Sequence, residues 1–188
     1  GEAGGGLGLG HVEAGIVLEE IGRNLTPSPF LITAVAVVEA LRGTKHGALW
    51  YPGILAGETV AALAIDEDSK HRPEAIAMIA ERSGNGFRLS GRKQFVVQGA
   101  SADVFVVAER IELDGDAVIG EVGRGHEVLR RVLSAGRAGA ASELVGVGSQ
   151  AMATTIDYLK QRKQFGRLIG EFQALQHRAA HLYSELEI

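Results

Sequence analysis

The chain has 188 residues, 46% of them hydrophobic, and a formal net charge of −4. That is enough apolar mass for one large or two small packed domains, and the acidic balance argues against a surface built to neutralise nucleic-acid phosphates. The absence of cysteine excludes disulfides and thiolate metal sites, and no apolar run reaches the ~20 residues that a membrane-spanning helix needs. The glycine-rich opening, Gly4 to Gly10, has neither the basic segment nor the apolar core of a secretion signal, and a cytoplasmic protein is expected.

In chain order, Val12, Ile16, Ile21, Phe30, Val35, Val38 and Leu41 support two helices between residues 11 and 43, broken at Thr26-Pro27-Ser28-Pro29 where proline interrupts the backbone ladder. Residues 60–65, 87–89, 95–97 and 104–107 are rich in β-branched or aromatic side chains and read as strands, and Ser83-Gly84-Asn85-Gly86 signals a hairpin through its Asn-Gly pair. From Gly125 to Gln164 the positions Leu129, Val132, Leu133, Ala140, Leu144, Val147, Ala151, Tyr158 and Leu159 return to near-helical spacing. Gly166 then suits a left-handed cap, and Phe172, Gln176, Ala179 and Tyr183 recur on one face of a second helix. The order is helices, strands, helices, an α+β arrangement, with expected domains at 1–57 (helical), 58–114 (a sheet or small barrel) and 115–188 (helical).

Neither glycine cluster, residues 4–10 or 120–125, has the spacing of a nucleotide-binding loop, and both read as loops and caps. The six histidines include one pair at helical spacing, His177 and His181, without the acidic neighbour of a zinc motif, so no metal site is expected. No Ser, His and acid set carries a nucleophile motif. Recognition chemistry concentrates instead between Arg162 and His177. Arg162, Gln164 and Gln173 fall around one helix junction beside Phe165 and Phe172, where a guanidinium can hold a diphosphate by paired charge-assisted hydrogen bonds and amides can read a ring edge. An arginine that merely complements a helix dipole is the alternative on chemistry alone.

The string Arg162-Lys163-Gln164-Phe165-Gly166-Arg167-Leu168-Ile169-Gly170-Glu171-Phe172-Gln173-Ala174-Leu175-Gln176-His177 resembles the R-x-Q-F-G-x-x-I-x-x-F-Q-x-x-Q-H signature of the acyl-CoA dehydrogenase family at every fixed position. Residues 6–23, 50–58 and 89–97 are similar to the family's amino-terminal helical domain, its approach to the barrel and its flavin-facing strand. The resemblance implies FAD-dependent α,β-dehydrogenation of an acyl-CoA thioester, electron-transfer flavoprotein as acceptor, and cofactor contacts from Arg162, Gln164, Phe165 and Gln173 across a subunit interface and from Phe95, Val96 and Val97.

Three departures accompany it. Residues 66–73 stand where the family carries T-E-P-x-x-G-S-D, keeping only Glu67 and placing His71-Arg72 where a small Gly-Ser pair is usual. Phe95-Val96-Val97 replaces W-I-T, keeping an aromatic wall but losing a hydroxyl. Strands expected between residue 109 and the Gly115 run are nearly absent, and no catalytic carboxylate is identified, Gly136 occupying the position some relatives give to it. The leading reading is one partner of a heterotetramer of homologous subunits, similar to the bacterial members acting on steroid side-chain thioesters, which completes a neighbour's flavin site. A self-sufficient homotetramer and a cofactor-free structural subunit are the alternatives. The stripe Gly136, Ala140, Leu144, Val147, Ala151 and Leu159 is expected to face another subunit in part.

Overall fold

The computed structural model describes residues 6–109 and 115–188. The first residues of the glycine-rich opening and residues 110–114, where the shortened strand region falls, lie outside them. The chain divides into two compact units, Gly1–Ala14 with Pro29–Gly139, and Gly15–Ser28 with Ala140–Ile188. Helices α1 (His11–Arg23) and α4 (Gly125–Gln161) each have residues in both.

In the first unit, Pro29 is followed by a π-helical segment, Leu31–Val37, that runs directly into α2 (Val38–Leu41). Sequence reading expected an ordinary helix here. The run LITAVAV is apolar throughout, so its composition gives no face from which to tell one helical winding from another. Helix α3 (Lys45–Ala56) begins at Thr44, whose hydroxyl accepts from Gly47 N at 3.3 Å, and ends at Gly57 with φ 74°.

Strand β1 (Ala61–Ala64) pairs in parallel with β4 (Val104–Val107), and β2 (Ile79–Ser83) makes an antiparallel hairpin with β3 (Gly86–Ser90). The hairpin stands where the sequence placed it, with its turn shifted by one: Gly84, at φ 62°, and Asn85 are the central residues, and Gly86 begins β3. Among the described residues the strands form two-stranded ladders and no closed barrel, so the β region is the sheet alternative of the expectation. Residues 95–97 are not a strand. They lie in the connection between β3 and β4.

The core of this unit joins Val37, Leu41, Ile54 and Ala61, flanked by Trp50, Tyr51, Val104 and Val106, to a second cluster of Ala36, Ala40 and Val132. Buried Thr33 locks the π-helical segment to β1: its hydroxyl donates to Ala61 O at 2.8 Å and accepts from Ala61 N at 3.1 Å. A threonine thereby occupies the hydrogen-bonding edge that a neighbouring strand would use.

In the second unit, α1 buries Leu18 and Gly22, whereas Ile16 and Val17, on the same helix, are exposed. Gly22 approaches the α4 backbone at Glu143, and Gly146 of α4 approaches α1 at Glu19. After α4 come a short hairpin, β5 (Lys163–Gln164) with β6 (Arg167–Leu168), a 3-10 turn at Ile169–Glu171, and α5 (Gln173–Leu186). Gly166 is therefore a hairpin residue and not the expected helix cap.

Candidate functional site

The end of α4 sets the geometry of the second-unit candidates. Arg162 N donates to Tyr158 O at 2.9 Å, closing the last helical turn, while Arg162 O accepts from Ile169 N at 2.8 Å and starts the hairpin. Phe165 and Gly166 are the two central residues of the turn, at φ 53° and 81°. Two left-handed residues in a two-residue loop match the twist of the paired strands, and glycine meets that requirement without strain. Phenylalanine does not, and a bulky residue held there marks a place where something other than local preference decides the conformation.

Phe165 is 91% exposed. Its ring meets Phe172 edge to face with centroids 6.2 Å apart, and the Arg167 guanidinium lies 4.0 Å above the Phe172 ring. The connection is drawn tightly onto α4, since a Cβ at Gly170 would sit 2.8 Å from Leu159 O. Gln176 Nε2 donates to Gly170 O at 2.8 Å and fixes the first turn of α5 on the same segment. Arg162, Gln164 and Gln173 are all exposed, and among the described residues their side chains make no hydrogen bond or ion pair. One rigid junction thus displays a cation, two amides and an aromatic ring to the outside. These donors fit an anionic diphosphate joined to a planar ring system.

The first-unit candidates occupy a loop with a firmly held stem. Phe95 is 72% exposed at φ 51°, Val97 is 56% exposed, and Gln98 has φ 62°. Immediately before them, Lys93 Nζ donates to Glu67 Oε1 at 2.7 Å and to Ile65 O at 2.9 Å, and Gln94 N donates to Asp66 O at 2.8 Å. Glu67 accepts further from Ala77 N at 2.8 Å and Met78 N at 3.0 Å. The Lys93 hydrogen bond first, and then that of Met78 N, holds the Glu67 carboxyl down to about 2. Glu67 is therefore a bracket between β1, β2 and the 91–98 connection.

The segment replacing the usual T-E-P motif closes on itself. Asp66 accepts from His71 Nδ1 at 2.9 Å and from Arg72 N at 3.1 Å, and this occupies its carboxylate internally. With bulky His71 and Arg72 in place of small residues and Asp66 taken up by both, residues 66–73 are a poor chemical fit to that part of a flavin nucleotide. Sequence reasoning singled out Glu67 but missed Lys93, whose partner is 26 positions away. It also missed Glu109, whose Oε2 is buried without a partner among the described residues and whose carboxyl is pushed up by that burial, against the pull of Lys93. No local pattern signals either. Among the described residues there is no group of side chains able to hold a metal ion, and no helix is long and apolar enough to cross a membrane.

Residues 123–188 match the acyl-CoA dehydrogenase C-terminal domain family. The chain is 32% identical over 181 residues to acyl-CoA dehydrogenase IpdE2 of Mycobacterium tuberculosis, covering 95% of this chain and 54% of that protein. It is 28% identical over 235 residues to mitochondrial isovaleryl-CoA dehydrogenase of Solanum tuberosum, covering 97% and 57%. Among solved structures, a variant of the Tcur3481–Tcur3483 steroid ACAD superposes with a TM-score of 0.84 at 30% identity, over 100% of this chain and 60% of that one. The chain belongs to the acyl-CoA dehydrogenase family.

It spans about half the length of the curated relatives it matches. The alignment with the potato enzyme runs over 235 positions, more than the 188 residues present, so that enzyme carries segments with no counterpart here. The alignment with IpdE2 takes 181 positions for 95% of the chain and runs almost without gaps.

Proposed function

We propose that this chain is a subunit of an FAD-dependent acyl-CoA dehydrogenase that introduces a double bond between the α and β carbons of an acyl-CoA thioester, and that it completes a flavin site together with a homologous subunit. The observation that carries the reading is the junction at residues 162–173, where Arg162, Gln164 and Gln173 are exposed, without side-chain partners among the described residues, beside a strained, exposed Phe165. Such a display is stable in water but gains its specificity only when an anionic, planar ligand is brought to it.

Arg162 would hold the diphosphate, Gln164 and Gln173 the polar edge of the nucleotide, and Phe165 an apolar flank. Separately, in the first unit, Phe95, Val96 and Val97 are assigned to a wall along a flavin edge. When bound, FAD supplies the acceptor for the hydride leaving the β carbon, and electrons pass on to an electron-transfer flavoprotein. Removal of the α proton is assigned to the partner subunit, because this chain offers Gly136 where some relatives place the carboxylate. The poor fit of residues 66–73 to a diphosphate supports a shared site over one built by this chain alone. A steroid side-chain thioester is the proposed substrate class, supported by the similarity to the steroid ACAD structure.

The test is the flavin content of the complete gene product, purified alone and after co-expression with a homologous subunit, read by native mass spectrometry and absorbance. Flavin present only in the mixed assembly is the expected result. A yellow homotetramer would establish the self-sufficient alternative, and a colourless mixed assembly would establish a structural subunit.

A further inference from the structure

We propose that Glu67 and Lys93 are a positioning pair that presses the 95–97 loop into a fixed, outward-facing wall for the flavin ring, with Phe95 as its contacting residue. The inference rests on the flavin reading above and adds residues outside the family-like signature.

The loop is clamped to the 65–67 segment at its start and closed by local turns beyond it, the first with Gly99 N donating to Val96 O at 3.0 Å. At its start, buried Lys93 spans Ile65 O and Glu67 Oε1, at 2.9 and 2.7 Å, while Gln94 binds the same stretch of chain twice, N to Asp66 O at 2.8 Å and Nε2 to Glu67 O at 2.9 Å. At its end, Ser101 N and Oγ both donate to Gln98 O, at 3.0 and 3.2 Å, and Oγ also reaches Gln98 Oε1 at 3.1 Å. Phe95 and Gln98, adjoining these clamps, are both in the left-handed region at φ 51° and 62°. A side chain of either type rarely adopts that backbone unless its surroundings impose it.

The product of this arrangement is exposure. The Lys93 side chain is 6% exposed, whereas Phe95, two residues on, is 72% exposed. A relaxed loop could turn a phenylalanine toward the sheet, because burying its ring is favourable. Here the fixed stem spends backbone strain to hold it out. A ring kept in water by an otherwise satisfied hydrogen-bond clamp is a contact surface awaiting an apolar, planar partner. Glu67 is also anchored from behind by Ala77 N and Met78 N, so the pair transmits the position of β2 to the loop.

The experiment compares bound-flavin fluorescence and visible circular dichroism in the assembled wild-type protein, the charge-free double variant Glu67→Gln with Lys93→Met, Phe95→Ala, and the combination of all three. Removing both charges together avoids stranding one of them. The double variant is expected to keep its flavin content but to melt lower at neutral pH, because the Glu67 carboxylate is gone, while flavin fluorescence rises severalfold as the wall becomes mobile. Phe95→Ala, which leaves the pair intact, is expected to give the same rise, and the triple variant no more than either. That non-additivity would place the action of the pair through Phe95. A flavin signal in the double variant equal to wild type, or a triple variant whose effects simply add, would overturn the inference while leaving the flavin reading standing. A wild-type assembly without flavin would overturn both.

Discussion

Gly22 of α1 and Gly146 of α4 are placed reciprocally: a Cβ on Gly22 would lie 1.9 Å from Glu143 O, and a Cβ on Gly146 would lie 1.9 Å from Glu19 O. Both neighbours are backbone carbonyls on regular helices, so neither can swing away. The two helices meet main chain to main chain, at a separation only hydrogen side chains allow.

Gly146→Val is therefore expected to destabilise the protein by about 1–3 kcal/mol or more, the range for overpacking a tight contact. At about 2–4 °C per kcal/mol for a protein of this size, the loss is read directly from thermal unfolding. Gly136→Ala is the internal control, because a Cβ there meets nothing within 4 Å and the change should be close to neutral or stabilising. Equal melting temperatures for Gly146→Val and wild type would show that the helices separate freely.

A second prediction concerns Arg162. Its exposed guanidinium has no partner among the described residues, so Arg162→Ala should leave the melting temperature of the flavin-free protein unchanged. Losing a charge-assisted contact of roughly 1.5–3 kcal/mol should weaken FAD binding to the assembled protein by about one to two decades. Flavin titration of wild type and variant measures it, and equal affinities would remove Arg162 from the cofactor site.

What the sequence disclosed and what it hid divide along the range of the interactions involved. Helices α1, α4 and α5, the break at Pro27 and Pro29, the hairpin around Gly84 and strand β4 all follow from periodicity and turn chemistry within a few neighbours. The 95–97 loop is different: Phe-Val-Val has strand character, but Lys93 and Gln94 bind residues 65–67, which no local pattern foretells. Phe165-Gly166 was misread for a related reason, since a type I′ turn is usually announced by Asn or Asp, and a phenylalanine in that position is silent. The candidate recognition residues can be picked out from their types and order. Their outward display without partners was not.

Glu67 gives a third prediction, in pH. Its carboxyl is held at about 2 in the folded protein against an ordinary 4.5, chiefly by Lys93. A depressed folded value means that the charged form stabilises the fold; this contribution is complete above about 4.5 and is lost as pH falls from there through about 2. Glu67→Gln should therefore narrow the gap in melting temperature between pH 5 and pH 2.5. Glu13, Asp116 and Glu127 are also lowered but remain in the variant, so the difference isolates Glu67. An unchanged pH profile would mean that the bracket does not form in solution.

Glu109 should behave in the opposite sense. Burial raises its carboxyl, and Oε2 has no partner among the described residues, so ionisation opposes folding. The penalty is absent below the ordinary carboxylate range and grows as pH rises through the folded value. Glu109→Gln should raise the melting temperature at pH 8, because the neutral amide carries no ionisation penalty. At pH 4 the two proteins should melt together. A variant less stable than wild type at pH 8 would show that the carboxylate is paired.

The last prediction concerns assembly. Of the stripe on α4 expected to face another subunit, Gly136 meets open space and Leu144 is 70% exposed, while Tyr158, further along the same helix, is 57% exposed. Leu182 and Tyr183 of α5 add two more large apolar side chains, 55% and 56% exposed. Large exposed apolar groups on two helices are the pattern of a surface that a second chain covers. Leu144→Asp places a charge in that surface without entering the core of its own unit, so it should leave the folded chain's helicity intact and shift the assembly toward smaller species. If the flavin site is completed across that interface, FAD should be released in the same step. Size-exclusion chromatography followed at flavin wavelengths reads both events. An intact yellow oligomer carrying Leu144→Asp would show that the stripe faces solvent and that the partner is bound elsewhere.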